Sequence, residues 1–114
     1  FDDSVQAIVE VILERAGCRL TSASHPGEAL LLAEQLAHKP DLLVTDCSMP
    51  LMGGPELAGR LRVTMPGLPA LHLRASEGEG ARCQASGDDY FLDKPFTELE
   101  LLAMIEAMLD VRRD

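Results

Sequence analysis

The amino-acid sequence predicts a single α/β domain in which strands alternate with helices. Hydrophobic residues make up 46% of the 114 positions, which is enough for one buried core in a chain too short for two ordinary domains. Two apolar runs, residues 41–46 and 69–73, have the length and composition of buried strands, and helical segments separate them. This alternation implies right-handed crossovers and a parallel sheet that is covered on both faces.

The first 46 residues are predicted to form two helices and two strands. Ser4 is a candidate N-cap for the first helix, and Gly17 supplies its C-terminal stop. The inner face of this helix is predicted to comprise Val5, Ile8, Val9, Ile12, Leu13 and Ala16. Residues 18–22 (CRLTS) can form a short strand, and residues 26–38 a helix with Pro26 in its first turn. The apolar run then forms the buried strand that ends at Asp46.

The second half of the chain continues the alternation after a loop. Residues 47–54 hold two Met, one Pro and two Gly, which indicates a loop, and Pro55 opens a helix through about Val63. The strand 69–73 follows, and residues 76–86 predict only a short, weakly held helix because they are small or polar around two glycines. Residues 89–92 give a further strand. Thr97 and Glu100 then form a capping box for a final helix, whose buried positions are predicted to be Leu101, Leu102, Ile105, Met108 and Leu109.

Charge and cysteine content narrow the class of function. The formal charge of −9, with a pI near 4.6, argues against direct binding of nucleic acid or of an anionic membrane and favours a cationic partner or a bound metal. The three cysteines never form a C-x-x-C pattern, so we expect neither a disulfide framework nor a zinc site, and we expect a reducing cytoplasm. No apolar run reaches membrane-spanning length, and no signal-peptide pattern is present in the sequence.

Polar side chains are expected to meet at the carboxyl edge of the sheet, where ligands bind in open parallel sheets. Asp46, Arg74 and Lys94 end or follow strands, while Asp2 and Asp3 precede the first helix. Clustered carboxylates bind a hard cation through oxygen, and Mg2+ is the expected one. An Asp carboxylate attacks phosphorus only when the repulsion between the two anions is neutralised, which Mg2+ and Lys94 would do here.

Two motifs resemble those of the receiver domains of bacterial two-component signalling. Residues 46–54 (DCSMPLMGG) resemble the family's D-x-x-M-P-x-M-x-G motif, in which the leading Asp is phosphorylated. Residues 87–96 (GDDYFLDKPF) resemble its closing motif, which ends in Lys-Pro-Phe. The resemblance covers nearly the whole chain, and the two motifs follow successive strands in the expected order.

This resemblance implies a fold, a site and partners. The fold would be a doubly wound, flavodoxin-like sheet of five parallel strands in the order 2-1-3-4-5. Its first strand would be largely missing from the given chain, which would then be a fragment of a longer protein.

The implied site residues are Asp46 as phosphoacceptor, Lys94 as a contact of the phosphoryl group, Phe91 as an aromatic switch, and Asp2, Asp3, Asp46 and the backbone carbonyl of Ser48 as ligands of Mg2+. The phosphoryl donor would be a histidine kinase or a histidine phosphotransfer protein. Apart from its own phosphorylation and dephosphorylation, the domain would catalyse nothing, and residues 76–86, 89–92 and the final helix would bind an output domain or a second copy.

Arg74 departs from the family pattern, which has Thr or Ser at this position. A guanidinium can bind phosphate bidentately, yet it can also pair with Asp46 before any phosphate arrives. The alternative hypothesis is therefore a pseudo-receiver that binds proteins without being phosphorylated. A hydrolase that uses an aspartyl-phosphate is disfavoured, because Ser48 stands where a second acid is needed and no cap domain is present.

Other positions have plainer interpretations. A second register places Asp2 and Asp3 just past the true acidic pair, with Phe1 in an acid position. His72 is interpreted as a satisfied core histidine because it lies inside an apolar strand. The pair Asp88 and Asp89 is interpreted as a solvated loop.

Overall fold

A computed structural model describes residues 3–47, 52–74 and 87–113, with the side chains of residues 3, 4 and 110–113 left aside. Their elements are the helices α1 (Asp3–Arg15), α2 (Pro26–Gln35), α3 (Gly54–Leu61) and α4 (Glu98–Arg113), and the strands β1 (Leu43–Asp46), β2 (Ala70–Arg74) and β3 (Asp89–Asp93). Within these ranges, no helix is both long enough and apolar enough to cross a bilayer. The α/β class predicted from the sequence is confirmed.

The three strands form one parallel sheet in the order β1-β2-β3. Asp46 pairs with Leu73 across β1 and β2, and Arg74 pairs with Asp93 across β2 and β3. These strands follow one another as the third to fifth strands of the predicted order would, and the five-stranded order itself stays a prediction. The predicted strand at residues 18–22 is wrong, since this described segment has no strand assignment. A strand needs a neighbour to complete its hydrogen bonds.

Helices cover both faces of the sheet. Leu71, Leu73 and partly buried Val44 pack with α1 and α4 on one face, while Leu43 on the other face packs with α2 and α3. This division follows from the period of two in a strand, which points successive side chains to opposite faces. The inner face of α1 was predicted correctly at Val9, Ile12 and Leu13. It was predicted wrongly at Ile8, which is 57% exposed, and at Ala16, which is also exposed.

Local sequence signals explain most helix ends. Gly17 adopts a φ of +90° just beyond α1, a conformation that favours glycine. His25 caps α2 by accepting a hydrogen bond at Nδ1 from the backbone N–H of Glu28. The predicted capping box of α4 is confirmed, since Thr97 N–H donates to Glu100 and Glu100 N–H donates back to Thr97 Oγ1. Two helices end earlier than predicted, α2 at Gln35 and α3 at Leu61.

Candidate functional site

Asp46 and Lys94 meet at the carboxyl edge of the sheet. Lys94 Nζ lies 2.6 Å from Asp46 Oδ1, with 30% of the lysine side chain and 13% of the aspartate side chain exposed. Asp46 ends β1 and Lys94 directly follows β3, so the two charges reach each other across the end of the intervening strand β2. The structure thus brings together two side chains that lie 48 positions apart in the sequence.

Backbone hydrogen bonds fix the ends of these strands. Cys47 N–H donates to the carbonyl of Leu73 at 3.0 Å, and Lys94 N–H donates to the carbonyl of Arg74 at 2.7 Å. The segments that carry Asp46 and Lys94 are therefore both attached to the last residues of β2. This attachment limits how far the carboxylate and the ammonium can move apart while the sheet remains intact.

The helix that follows Asp46 begins in close contact with strand β1. Gly54 N–H donates to the carbonyl of Cys47 at 3.0 Å. A Cβ atom at position 54 would collide with the carbonyl oxygen of Asp46 and would lie 2.5 Å from Nδ1 of His72 and 2.9 Å from Cγ2 of Thr45. Only glycine, which has no side chain, permits this approach of α3 to the strand.

Arg74 lies at the end of β2 and is engaged on the side of β3. Its Nε donates to Asp93 Oδ1 at 2.7 Å, with 28% of the arginine side chain and 63% of the aspartate side chain exposed. Its guanidinium carbon also lies 4.7 Å from the ring centroid of Phe91, which is within cation–π range. The carboxylate that pairs with Arg74 in this structure is therefore Asp93.

Phe91 lies between Arg74 and His72 on one face of β2 and β3. The rings of His72 and Phe91 stack with centroids 5.1 Å apart and an interplanar angle of 29°. These two residues are also register partners in adjacent strands. Phe91, the predicted switch residue, thus packs against both a buried imidazole and a guanidinium.

Next to this stacked pair, Arg62, Asp89 and His72 form a buried network that the sequence analysis did not predict. Asp89 Oδ1 accepts hydrogen bonds from Arg62 Nη2 at 2.9 Å and from His72 Nε2 at 2.8 Å. Its side chain is only 3% exposed, so the interpretation of Asp89 as part of a solvated loop is wrong. Arg62 follows α3 and also donates to the carbonyls of Leu68 and Asp88. The only sequence signal was an acidic residue at the start of an otherwise apolar strand.

His72 is the core residue that the sequence predicted, but it is only half satisfied. Its residue is fully buried, and Nδ1 has no hydrogen-bond partner within the described ranges. Burial lowers the pKa of His72 below its usual value of 6.5, and this effect outweighs the opposing hydrogen bond and negative charge of Asp89. The ring is therefore held in its neutral form, with the proton on Nε2 facing Asp89.

The predicted ligands of Mg2+ are placed only in part. Asp46 contributes a carboxylate of the chemistry that Mg2+ prefers, and its neighbour Lys94 supplies one positive charge. Asp2, Ser48 and the side chain of Asp3 lie outside the described residues, as do Phe1 and the predicted helix at 76–86. Within the described ranges, no group of three or more acidic, histidine or cysteine side chains could hold a metal ion. The oxygen chemistry of Asp46 fits such an ion, and the predicted set stays a prediction.

Cysteine chemistry differs from the expectation. Cys18 is a free thiol, whereas Cys47 is disulfide-bonded, and its partner lies outside the described residues. The expectation that no disulfide is present is therefore wrong.

Comparisons with known proteins agree with the fold and with the motifs. The sequence pattern of the response regulator receiver domain matches residues 2–106. An uncharacterized 14.6 kDa protein in the sodA1 3′ region of Leptolyngbya boryana is 38% identical over 109 residues, which cover 92% of this chain and 82% of that protein. The alkaline phosphatase synthesis transcriptional regulatory protein PhoP of Bacillus subtilis (strain 168) is 34% identical over 111 residues. That match covers 95% of this chain but only 45% of PhoP.

A solved structure is similar over almost the same length. The receiver domain of the Francisella response regulator 1452 superposes with a TM-score of 0.76 at 27% sequence identity. The superposition covers 97% of this chain and 92% of that one. The comparison of sequences and the comparison of structures therefore both find receiver domains of response regulators.

Proposed function

The chain belongs to the response regulator receiver domain family of two-component signalling, and from that premise we propose that Asp46 is its phosphoacceptor. The observation that carries this proposal is the contact between Lys94 Nζ and Asp46 Oδ1 at 2.6 Å. A carboxylate that ends a parallel strand beside an ammonium group can act as a nucleophile toward a phosphoryl group, because the cation offsets the repulsion between two anions.

The proposed reaction is a transfer of one phosphoryl group from a phosphohistidine. A carboxylate oxygen of Asp46 forms a bond to phosphorus as the bond from phosphorus to the histidine nitrogen breaks, and the departing imidazole takes up a proton. Oδ1 of this carboxylate accepts the hydrogen bond of Lys94 before the transfer. Lys94 then transfers its hydrogen bond to an oxygen of the bound phosphoryl group.

We propose Asp2, Asp3, Asp46 and the backbone carbonyl of Ser48 as the residues that would hold Mg2+. When bound, Mg2+ would supply positive charge for the phosphoryl oxygens during transfer. What this chain itself supplies is the nucleophile at residue 46 and the ammonium at residue 94. Both are attached to the end of β2 through backbone hydrogen bonds.

Arg74 is proposed as a further contact of the phosphoryl group, in the place that Thr or Ser occupies in the family. In this structure the guanidinium of Arg74 contacts both the carboxylate of Asp93 and the ring of Phe91. A phosphorylated Asp46 would carry about two negative charges and would compete with the single charge of Asp93 for the guanidinium. The movement of Arg74 away from Phe91 would be the signal that phosphorylation produces.

A histidine kinase or a histidine phosphotransfer protein is the proposed phosphoryl donor, and the cytoplasm the proposed compartment. The chain forms one receiver domain on this reading. It spans about half the length of relatives such as PhoP, a transcriptional regulatory protein. We therefore propose that an output domain, or a second copy of the chain, binds β3 and α4 together with the predicted helix in residues 76–86.

The deciding experiment measures intact mass after incubation with acetyl phosphate and Mg2+. The wild-type protein should gain one phosphoryl group, and Asp46→Asn should gain none. Asp41→Asn is the matched control, because Asp41 is an exposed acid just before the same strand and should leave the mass gain unchanged. An equal gain in wild type and in Asp46→Asn would reject Asp46. If the wild type gains nothing, the protein does not accept phosphoryl groups from this donor and the pseudo-receiver hypothesis is favoured.

A further inference from the structure

We propose that His72 is a proton-sensitive positioning residue, which holds the start of α3 against the backbone of Asp46 only while its imidazole is neutral. The predicted effect on phosphorylation rests on the proposed function of Asp46. The structural coupling between His72 and α3 does not. His72 has no role in the phosphotransfer reaction proposed above, and its ring is buried one strand away from the phosphoacceptor.

One ring nitrogen of His72 is firmly engaged. Nε2 lies 2.8 Å from Asp89 Oδ1, and the same oxygen accepts a hydrogen bond from Arg62 at 2.9 Å. Since a carboxylate is only an acceptor, Nε2 must carry the proton. The charge of Asp89 is already balanced by Arg62. A positive charge on the imidazole would therefore give the buried group of Arg62, His72 and Asp89 a net positive charge.

The other ring nitrogen faces the start of α3. Nδ1 has no hydrogen-bond partner within the described ranges, and a Cβ at Gly54 would lie only 2.5 Å from it. Gly54 is the first residue of α3, and the N-terminus of a helix carries partial positive charge. A neutral imidazole presents a lone pair there, which is favourable. A protonated imidazole would present an N–H group without an acceptor beside that positive end.

The charged groups around the ring oppose protonation or are already paired. Asp89 on β3 attracts a proton, but Arg62 beyond α3 neutralises it. Arg74, on the same strand as His72, pairs with Asp93 and lies over the ring of Phe91, which stacks on the imidazole. From β1, the residue opposite His72 is Thr45, which has no charge.

Protonation of His72 would displace α3, and this movement would affect the backbone of residues 46 and 47. The hypothetical Cβ of Gly54 would meet both Nδ1 of His72 and the carbonyl oxygen of Asp46, so the glycine packs against both groups. Gly54 N–H also donates to the carbonyl of Cys47. A shift of α3 away from a charged imidazole would therefore loosen the backbone contacts of residues 46 and 47, and Asp46 would lose its fixed orientation toward Lys94.

The first test is an NMR titration of the wild-type protein, which needs no variant. Its His72 ring signals should show the tautomer with the proton on Nε2 at about pH 8, and should titrate below about pH 6.5. The amide signals of Gly54 and Cys47 should shift with the same midpoint. His25→Gln and His38→Gln identify the signals of the two exposed histidines. If Gly54 and Cys47 do not follow His72, or if His72 stays neutral down to the pH at which the protein unfolds, the proposal is overturned.

The second test compares phosphorylation rates with those of His72→Gln, whose side-chain amide can donate to Asp89 but does not titrate. The ratio of the wild-type rate to the variant rate should be constant from about pH 8 to 7 and should fall at lower pH in step with the protonation of His72 followed by NMR. A flat ratio overturns the proposal. If neither protein is phosphorylated at any pH while Gly54 still follows the titration of His72, the positioning role stands and the proposed function fails.

Discussion

Arg62 joins the end of α3 to the first residue of β3, because its guanidinium donates to the carboxylate of Asp89 at 2.9 Å and to the carbonyl of Asp88 at 3.2 Å. The side chains of Arg62 and Asp89 are 15% and 3% exposed, respectively. Replacement of Arg62 by Met would remove a positive charge that lies 2.9 Å from the buried Asp89 carboxylate. We expect the free energy of unfolding to fall by about 3–5 kcal/mol, measured by chemical denaturation.

Arg60→Met is the matched control for this experiment. Arg60 lies two residues earlier and forms an exposed ion pair with Glu56 at 3.7 Å within α3. Such i,i+4 pairs contribute only about 0.3–0.5 kcal/mol, so the control should be nearly neutral. Similar losses in both variants would show that the Arg62 pair stabilises the fold no more than an exposed one.

Gly54→Ala should destabilise the protein because the new methyl group has no space. It would collide with the carbonyl of Asp46 and lie 2.5 Å from His72 Nδ1, so α3 must move away from β1. Overpacking of this kind typically costs about 1–3 kcal/mol. The acetyl phosphate reaction should also slow, since the backbone of the nucleophile is displaced.

Gly59→Ala separates this steric effect from the helix preference of alanine. Gly59 lies in the same helix, and a Cβ at this position meets no atom within 4 Å. The substitution should therefore stabilise the protein by up to about 1 kcal/mol. A stabilised Gly54→Ala variant would contradict the close packing of α3 on Asp46.

The stability of the protein should decrease as the pH falls through the ordinary pKa of histidine. Burial lowers the pKa of His72 in the folded state, so the unfolded chain binds a proton at a higher pH than the folded one. The contribution of the neutral ring is fully present above the unfolded value of 6.5. It is lost progressively as the pH drops below that value toward the lower folded pKa.

Denaturation of wild type and His72→Gln between about pH 7.5 and 5.5 checks this sign. The wild type should lose stability relative to the variant as the pH decreases. Titration of carboxylates is common to both proteins and cancels in the difference. A wild type that gains stability relative to the variant would mean that the folded state favours the charged imidazole.

Lys94→Met should remove most of the phosphorylation activity while the fold remains intact. The ammonium of Lys94 is the cation 2.6 Å from the nucleophile, and loss of one preorganised donor typically slows a reaction by roughly 10²–10³-fold. The measurement is the initial rate of mass gain with acetyl phosphate. Lys39→Met, at an exposed position that precedes the first residue of β1, should keep the wild-type rate.

The meeting of Asp46 and Lys94 was predictable because the topology requires it. Strands that alternate with helices run parallel, and parallel strands present their last residues at a single edge. The capping box of α4 was also predictable, since it depends only on two residues three positions apart. The strand at 18–22 was not, because an extended segment becomes a strand only when a neighbour pairs with it.

The buried network could not be predicted for a different reason. Arg62 and Asp89 are 27 positions apart, and each has the appearance of an ordinary surface residue in the sequence. Their pairing depends on tertiary structure, since the register of β2 and β3 places Asp89 opposite Ala70 and the fold brings Arg62 within 2.9 Å of its carboxylate. Asp88 and Asp89 are chemically identical neighbours, and only the direction of the strand determines which of them is buried.

The contact between residues 46 and 94 bridges strands that never touch each other, since β2 lies between them. It joins residues 48 positions apart, so it is a non-local contact that requires the closure of a long loop. A truncated chain that ends before residue 94 would contain Asp46, the proposed phosphoacceptor, but not Lys94. Phosphorylation of the chain would then require both the presence of Asp46 and a fully assembled sheet, because only the assembled sheet brings Lys94 to Asp46.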